Sequence, residues 1–311
     1  MAEKIVVLAS GGDAPGMNAC VKAVFEKGRA LGFEVWAAVD GLNGLIDEDY
    51  VKLTEENTKG ISGVSGCVFK CGRSPRFNET AYCEKTIANI RKAKFAGVII
   101  IGGNGSQVAA GRLKKAGIPL AFIPGTVDND VPYTRYAVGF SSASESAVRD
   151  VDALCATFET IKRDHIVQLM GRGCTELASV LGAATFADIV DMEGQRHTPE
   201  QVANIFKANR AKGKTSSFMI MQERKEPDEV AMMMNSAKYL GDVMKFTGDK
   251  TIRMTTLGFL QRGAFPSCRD RWLAVLYANK ACELIKEKKF GLGVCTINDE
   301  IQTYEIKLAD I

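Results

Sequence analysis

Short apolar runs alternate with amphipathic stretches along the whole chain. In the first half, the apolar runs cover residues 4–10, 34–40, 97–103 and 119–125. Each run is nearly continuous and ends in glycine or a small polar residue, which is typical of a strand buried on both faces. The stretches between them place apolar side chains on one helical face. These predicted helices cover residues 17–32, 78–94 and 106–117.

The second half repeats this rhythm. Its predicted strands cover residues 165–171, 187–192, 216–223 and 252–259. Its predicted helices cover residues near 142–160, 174–185, 198–212 and 227–246. The alternation predicts an α/β fold with two Rossmann-like lobes, each a mostly parallel sheet with helices on both faces. Such sheets bind ligands beyond the carboxyl ends of their strands.

The composition narrows the functional classes. The 311 residues are 46% hydrophobic and 25% charged, with a formal net charge of +3, which gives no reason to expect a nucleic-acid partner. No apolar run approaches the length of a membrane span. Nine cysteines stand singly, which favours reduced thiols in the cytoplasm. Only two histidines, His165 and His197, are present, which argues against a multi-histidine metal site or a Ser-His-Asp triad.

Glycine-rich turns follow two of the predicted strands. Gly11 and Gly12 lie in "ASGGDAPGMNA", and a second group lies in "GGNGS" at residues 102–106. Glycine lets the backbone approach a ligand closely, and the following helix offers free N–H groups to an anion. Neither turn matches the dinucleotide or P-loop pattern. Two such turns favour a phosphate site, although one alone is equally typical of a structural connection.

Two aspartates follow the fourth predicted strand, in "IPGTVDNDVPYT" (residues 123–134). In an extended backbone, the spacing of Asp128 and Asp130 puts both carboxylates on the same side. One could take a proton from a hydroxyl group while the other helps to hold a divalent ion. An Asx-rich turn that ends at Pro132 fits the pattern equally well.

Four arginines lie near predicted strand ends in the second half: Arg163, Arg172, Arg253 and Arg262. Because the planar guanidinium binds phosphate through paired hydrogen bonds, this placement suits a sugar phosphate. The glycine turns, the acidic pair and the arginines together predict phosphoryl transfer to a hydroxyl group. That chemistry needs positioning, charge neutralisation and a base.

Four motifs stand in the order and spacing of a known family. They are "SGGDAPGMNA", "PGTVDND", "MGRGCTELA" and "LGFLQRGAFP". Together they resemble the bacterial ATP-dependent 6-phosphofructokinases over nearly the whole chain. The resemblance implies phosphoryl transfer from MgATP to the 1-hydroxyl of fructose 6-phosphate, a step of glycolysis. It also implies an ATP-binding lobe of residues 1–139 plus about 257–300, and a sugar-phosphate-binding lobe of residues 140–256 plus the C-terminal tail.

The resemblance also implies roles for single residues. Asp128 would be the catalytic base, with Thr126, Asp130 and Arg172 as further catalytic residues. The residues implied in ATP binding are Gly12, Arg73, Gly103, Asn104, Gly105 and Ser106. The residues implied in binding fructose 6-phosphate are Arg163, Met170, Gly171, Arg172, Glu223, Arg253, Phe259 and Arg262. The implied ligands of Mg²⁺ are Asn104 and Asp130.

Two further expectations concern the donor and the assembly. Gly105 and Gly125 are of the family's ATP-dependent type, which favours ATP over pyrophosphate. Arg163 and Arg253 match arginines that the family inserts across a subunit interface. The resemblance therefore implies a homotetramer with active sites shared between subunits. A hetero-oligomer with a more typical sister subunit is the alternative.

Several active-site positions depart from the family's pattern. Asn104 replaces an aspartate that helps to place magnesium, so metal binding should weaken. Phe259 replaces a histidine and cannot donate a hydrogen bond to the 6-phosphate, and Ala264 and Phe265 replace small residues. One alternative is therefore a weak or inactive paralogue that acts as a ligand-binding or regulatory subunit. Another is a kinase with a different sugar-phosphate acceptor.

The family's effector pocket is also altered. Lys22 keeps one positive charge, but Glu26 and Cys155 stand where arginines are expected, and Asp188 shortens a glutamate. Altered or absent allosteric control is the expectation. Most of the cysteines lie on predicted helices or in turns beside strands, where a small apolar side chain packs well. Cys71, next to the loop expected to bind the nucleotide, is the one whose reactivity should be tested.

Overall fold

The computed structural model describes residues 2–307 of the chain. The strands are β1 (Lys4–Ser10), β2 (Glu34–Ala38), β3 (Tyr50–Lys52), β4 (Phe95–Gly102), β5 (Leu120–Thr126), β6 (Val138–Gly139), β7 (His165–Leu169), β8 (Ile189–Asp191), β9 (Phe218–Gln222), β10 (Arg253–Thr256), β11 (Leu292–Ile297) and β12 (Glu300–Glu305). The helices are α1 (Met17–Ala30), α2 (Leu42–Asp47), α3 (Thr80–Ala93), α4 (Asn104–Lys115), α5 (Phe140–Ile161), α6 (Glu176–Ala184), α7 (Pro199–Ala211), α8 (Glu229–Thr247), α9 (Phe259–Arg262) and α10 (Cys268–Lys286). Every predicted strand and helix corresponds to one of these elements, within a few residues at each end.

The chain divides into two compact units. The first comprises the residues up to Ser142 and those from Arg262 onward, and the second runs from Ala143 to Gln261. Each unit has its own sheet, and both are α/β as the alternating pattern predicts. No helix in the described part of the chain is long and apolar enough to cross a membrane.

The sheet of the first unit has the strand order β12-β11-β5-β4-β1-β2-β3, with β6 paired to β5. Its centre is parallel, and β1, β4 and β5 are almost completely buried, which explains their continuous apolar sequences. The two antiparallel pairs, β2–β3 and β11–β12, lie at its edges. Short strands such as β3 and β6 carry too few residues to show a periodic pattern, so they were not predicted from the sequence.

The structure differs from the prediction for the C-terminal tail. The prediction put the tail in the second lobe, whereas β12 pairs antiparallel with β11 in the sheet of the first unit. The hairpin turn is formed by Asn298 and Asp299, whose φ angles of 51° and 61° suit the tight turns that join antiparallel strands. Residues 308–311 of that tail lie outside the described residues.

The second unit has a fully parallel sheet with the order β10-β7-β9-β8. Buried side chains such as Ile166, Met219 and Phe206 form its core with residues of α7 and α8. Helix α7 begins at Pro199, within one residue of the predicted start at residue 198. There the Thr198 side chain accepts a hydrogen bond from the Gln201 backbone, and the Gln201 side chain accepts one from the Thr198 backbone.

Candidate active site

Three loops that carry predicted site residues lie at the carboxyl ends of the parallel strands in the first unit. Strands β5, β4 and β1 are neighbours in that order and run parallel, so their carboxyl ends lie side by side. The first glycine turn follows β1, the second follows β4, and the aspartate segment follows β5. Ligands of open α/β sheets bind at these carboxyl ends.

The turn after β1 lies in close contact with an arginine. A Cβ atom at Gly12 would clash with the guanidinium of Arg262, so any other residue would displace that group. Nη1 of Arg262 donates a hydrogen bond to the backbone oxygen of Asp13 (2.9 Å). Gly11 has a φ of 88°, a left-handed conformation that glycine adopts without strain. The structure therefore places Arg262, predicted to bind the sugar phosphate, against the glycine turn of the first unit.

The turn after β4 leads into helix α4, whose N-terminus is not capped by the side chain of its N-cap residue, Gly103. The Ser106 hydroxyl donates to the backbone oxygen of Ser10 (3.0 Å), which ties this turn to the end of β1. A Cβ atom at Gly105 would meet no described atom within 4 Å, so this side of the turn is open. A Cβ atom at Gly103 would lie 3.3 Å from Cβ of Thr126. The two loops are thus closely packed, with open space at the helix terminus for an anion.

The aspartate segment after β5 is a tight turn and not an extended strand. Asn129 has a φ of 56°, so the expectation that an extended backbone aligns the two carboxylates is wrong. The Asn129 side chain holds the turn, because it accepts from the Ala137 backbone (2.7 Å) and donates to the Arg135 backbone (3.1 Å). The Asp128 backbone donates to the Thr126 hydroxyl (3.2 Å). Of the two interpretations of this segment, the structure thus supports the turn, and Asn129 is the residue that holds it.

Asp130 is bound by the side chain of Asn104. Nδ2 of Asn104 donates to Oδ2 of Asp130 (2.7 Å) and to its backbone oxygen (3.1 Å). Burial raises the pKa of the Asp130 carboxyl above its usual value, while hydrogen bonds from its own backbone and from Asn104 oppose that rise. The two predicted metal ligands are therefore in direct contact.

The pair Asn104 and Asp130 fits a magnesium ion that is held mainly by phosphate. No group of three or more metal-binding side chains occurs among the described residues. Mg²⁺ commonly uses one or two carboxylates and completes its shell with substrate phosphates and water. One carboxylate and one side-chain amide beside the open space at the start of α4 meet that requirement.

A cleft of about 360 Å³ adjoins the first glycine turn. Its lining includes Gly12 and Arg73, which were both predicted to bind ATP. The backbone N–H of Gly11 donates to the oxygen of Gly72 (3.0 Å), so the loop that carries Arg73 is attached to the turn. Cys67 and Cys71 also line this cleft. Gly11 lines it as well, together with Asp13, Lys70 and Gly72, which no sequence pattern distinguishes.

The second unit gathers a separate group of predicted residues. Met170, Gly171 and Arg172 follow β7, and Glu223 follows β9, at adjacent carboxyl ends of the parallel sheet. Nε of Arg172 lies 3.7 Å from Oε1 of Glu223. This group combines a cation and an anion, which suits a polar ligand with both phosphate and hydroxyl groups.

Two buried glutamines fix the loop after β7. The side chain of Gln261 accepts a hydrogen bond from the Met170 backbone (2.8 Å). The side-chain amide of Gln222 donates to the oxygens of Gly171 (2.6 Å) and Cys174 (2.8 Å). Both glutamines are completely buried. Sequence reasoning missed them, although an uncharged polar residue directly after an apolar run is a signal for such a role.

Arg163 and Arg253 lie at the opposite end of the strands of this sheet. Arg163 precedes β7 and Arg253 begins β10, so both stand at amino ends of strands, opposite the loop of Arg172. The structure therefore does not bring them together with Arg172 and Glu223 within the unit. Phe259, also predicted to bind the sugar phosphate, is 75% exposed.

The chain matches known proteins over nearly its whole length. Residues 4–285 match the family model described as Phosphofructokinase. The ATP-dependent 6-phosphofructokinase of Lactobacillus acidophilus is 32% identical over 304 residues, which cover 98% of this chain and 92% of that protein. The protein of the same name from Streptococcus agalactiae is 35% identical, over 96% of this chain and 86% of its own length.

Solved structures agree with this match. Phosphofructokinase from Saccharomyces cerevisiae has a TM-score of 0.87 and 25% identity over 98% of this chain. The chain spans 45% of the length of that yeast chain. The pyrophosphate-dependent phosphofructokinase from Marinobacter aquaeolei, 20% identical with a TM-score of 0.85, has the same fold over 98% of this chain and 83% of its own. By sequence and by fold, the chain belongs to the phosphofructokinase family.

Proposed function

We propose that this chain transfers the γ-phosphoryl group of ATP to the 1-hydroxyl of fructose 6-phosphate, giving fructose 1,6-bisphosphate in cytoplasmic glycolysis. The observation that carries the proposal is the arrangement of the loops at the carboxyl ends of β1, β4 and β5. There a turn fixed by Asn129 presents Asp128 beside two glycine turns with an open helix terminus. The relatives named ATP-dependent 6-phosphofructokinase support the same activity.

Asp128 is the general base in this proposal. It accepts the proton of the sugar hydroxyl as that oxygen attacks phosphorus, which a carboxylate beside the transferred group can do. The Thr126 hydroxyl, which accepts from the Asp128 backbone, positions the base. Asn104 and Asp130 would hold Mg²⁺, which neutralises charge on the phosphates when it is bound.

ATP is the proposed donor because of two glycines. Gly105 leaves open space at the start of α4, where the nucleotide phosphates would contact backbone N–H groups. A Cβ atom at Gly125 would lie 2.9 Å from a methyl group of Ile101, so a longer side chain has no room there. Gly12, Arg73, Gly103 and Ser106 would hold the rest of the nucleotide.

The sugar phosphate is proposed to bind Met170, Gly171, Arg172 and Glu223, with Phe259 and Arg262 as further contacts. Arg163 and Arg253 would serve the active site of a neighbouring subunit. Their position at the amino ends of strands in the second unit supports this role, because it separates them from Arg172 at the carboxyl ends. A homotetramer with shared sites follows from the proposal.

Weak effector control is the second part of the proposal. Nζ of Lys22 lies 2.6 Å from Oε1 of Glu26 and 3.3 Å from Oε2 of Glu55. Two carboxylates thus neutralise the one cation that the altered effector pocket keeps in this region. A phosphate effector would have to displace these ion pairs, so activation by nucleoside diphosphates should be weak or absent.

One observation favours a catalytically weak paralogue as the second candidate. The amide of Asn104 occupies Oδ2 of Asp130, where a second carboxylate would instead add charge for the metal. Under this candidate the chain binds nucleotide or sugar phosphate but turns over slowly, and restoring the aspartate at position 104 raises the rate steeply.

A donor and acceptor panel tests the proposed function. The purified chain is assayed with Mg²⁺ and either ATP or pyrophosphate, against fructose 6-phosphate and longer ketose phosphates. We expect the highest kcat/KM for ATP with fructose 6-phosphate. A higher kcat/KM with pyrophosphate or another acceptor would overturn the assignment, and binding without turnover would support the second candidate.

A further inference from the structure

Two cysteines face each other in the cleft beside the first glycine turn. Cys67 and Cys71 are both partly exposed and both line that cleft. The backbone N–H of Lys70 donates to the oxygen of Cys67 (3.0 Å), and Lys70 has a φ of 62°. This tight turn folds Cys71 back towards Cys67.

The two thiols are neighbours in this turn and line the same cleft. The thiol of Cys67 can donate to the backbone oxygen of Lys70 (3.3 Å) or to the sulfur of Cys71. The hydrogen bond from Cys67 lowers the pKa of Cys71 and the charge of Arg262 acts in the same direction, while burial and the charges of Asp13 and Asp40 oppose them. Cys71 is therefore the better nucleophile of the pair, since the thiolate is the reactive form.

The other seven cysteines have different surroundings. Four of them are buried: Cys20, Cys174, Cys282 and Cys295. Burial raises the pKa of Cys282 to about 12, so this thiol is unreactive. Cys268 is exposed and provides a natural comparison for simple accessibility.

We propose that Cys67 and Cys71 form a redox modification site, a dithiol that peroxide converts reversibly into a disulfide within the cleft. The Cys71 thiolate attacks one oxygen of hydrogen peroxide, breaks the O–O bond and becomes a sulfenic acid, and hydroxide leaves and takes a proton to form water. The Cys67 sulfur then attacks the sulfenic sulfur, loses its proton and expels a second water. A dithiol reductant returns both thiols by exchange.

The disulfide would change the nucleotide site, and this consequence rests on the proposed function. Bond formation constrains the loop that continues to Arg73, which lines the same cleft. We expect oxidation to weaken MgATP binding several-fold, with recovery after reduction. In proteins of reducing compartments, disulfides of this kind are typically transient and redox-sensing.

The sequence makes the bond easy to detect. Trypsin cleaves after Lys59, Lys70 and Arg73, so the two cysteines fall in separate peptides, 60–70 and 71–73. The full-length protein is treated with a small excess of hydrogen peroxide, alkylated, digested and analysed by mass spectrometry. We expect the two peptides to appear joined, and to separate after dithiothreitol. The variants Cys67→Ser and Cys71→Ser should lose the joined species, whereas Cys268→Ser should keep it.

The outcomes separate this site from the proposed function. Irreversible oxidation of Cys71 without the joined peptides, or equal oxidation of Cys268, would overturn the proposal. The peptide result does not depend on catalysis, so it stands even if the chain proves to lack kinase activity. Unchanged MgATP affinity of the oxidised protein would refute the regulatory consequence alone.

Discussion

Asn104 is a neutral amide in contact with Asp130, so this contact carries one negative charge where two carboxylates would carry two. The sequence predicted both residues as metal ligands, and the structure puts them in contact at 2.7 Å. It could not predict that the amide nitrogen faces the carboxylate, because that orientation depends on how α4 begins beside the turn after β5. Asn129 was also unpredicted in its role, since two aspartates made the segment resemble a same-side pair.

Restoring a carboxylate at position 104 should strengthen magnesium binding. In Asn104→Asp, a second negative charge stands beside Asp130 and attracts the divalent ion. We expect the Mg²⁺ concentration at half-maximal nucleotide binding to fall by about threefold or more, because ligand charge tunes affinity for hard cations. Isothermal titration of the chain with ADP at several Mg²⁺ concentrations measures this.

A matched control is Asn204→Asp, which adds the same charge to an exposed position on α7. It should leave the Mg²⁺ dependence unchanged. If Asn104→Asp behaves like this control, the assignment of Asn104 and Asp130 to the metal is wrong.

At the scale of elements, the apolar runs predicted the parallel strands well because strands buried on both faces need no polar alternation. The same argument fails at the edges, where β3 and β12 are short or mixed in polarity. Helix α10 was also missed, although it packs on α1 and buries Leu273 and Tyr277. Placement of arginines at amino or carboxyl strand ends needs exact boundaries, which an apolar run does not give.

The packing of β7 predicts a pH-dependent stability. His165 is buried between the rings of Phe158 (4.0 Å between centroids) and Phe218 (5.5 Å). Neither ring nitrogen has a hydrogen-bond partner among the described residues. Burial lowers the pKa of His165 from 6.5 to about 4, so the folded state keeps the neutral ring where the unfolded state is protonated.

The contribution of the neutral His165 ring to the free energy of unfolding is fully present above pH 6.5. It is lost as the pH falls from 6.5 towards 4, because the unfolded state then binds a proton that the folded state does not. Between pH 7.5 and 5 the loss should be about 2 kcal/mol in the free energy of unfolding. Urea unfolding of the wild type and of His165→Leu, measured at both pH values, isolates the contribution. The variant should show a smaller loss on acidification, and equal losses would refute the assignment.

In the whole molecule, the separation of Arg163 and Arg253 from Arg172 predicts that a complete active site needs residues of two subunits. If these arginines complete a neighbour's active site, Asp128→Ser and Arg253→Ala chains are each inactive alone. Mixed oligomers contain some sites with both an intact base and an intact arginine. Co-expression with two affinity tags should therefore recover a measurable fraction of wild-type activity.

The matched control is co-expression of Asp128→Ser with Arg172→Ala. These two residues are proposed to act in the same subunit, so every site of the mixed oligomer lacks one of them and activity should not return. Recovery in the Arg253→Ala mixture but not in the control fits shared sites. No recovery in the Asp128→Ser and Arg253→Ala pair contradicts them.

The most direct test of the central proposal is the product itself. The purified chain, prepared from a host that lacks its own phosphofructokinase, is incubated with Mg²⁺, ATP and fructose 6-phosphate and followed by phosphorus NMR. We predict that ADP and fructose 1,6-bisphosphate accumulate in equal amounts, and that Asp128→Ser lowers the rate by roughly 10²–10⁴-fold. Product formation at the same rate by Asp128→Ser, or no product from a wild-type chain that binds both substrates, would contradict it.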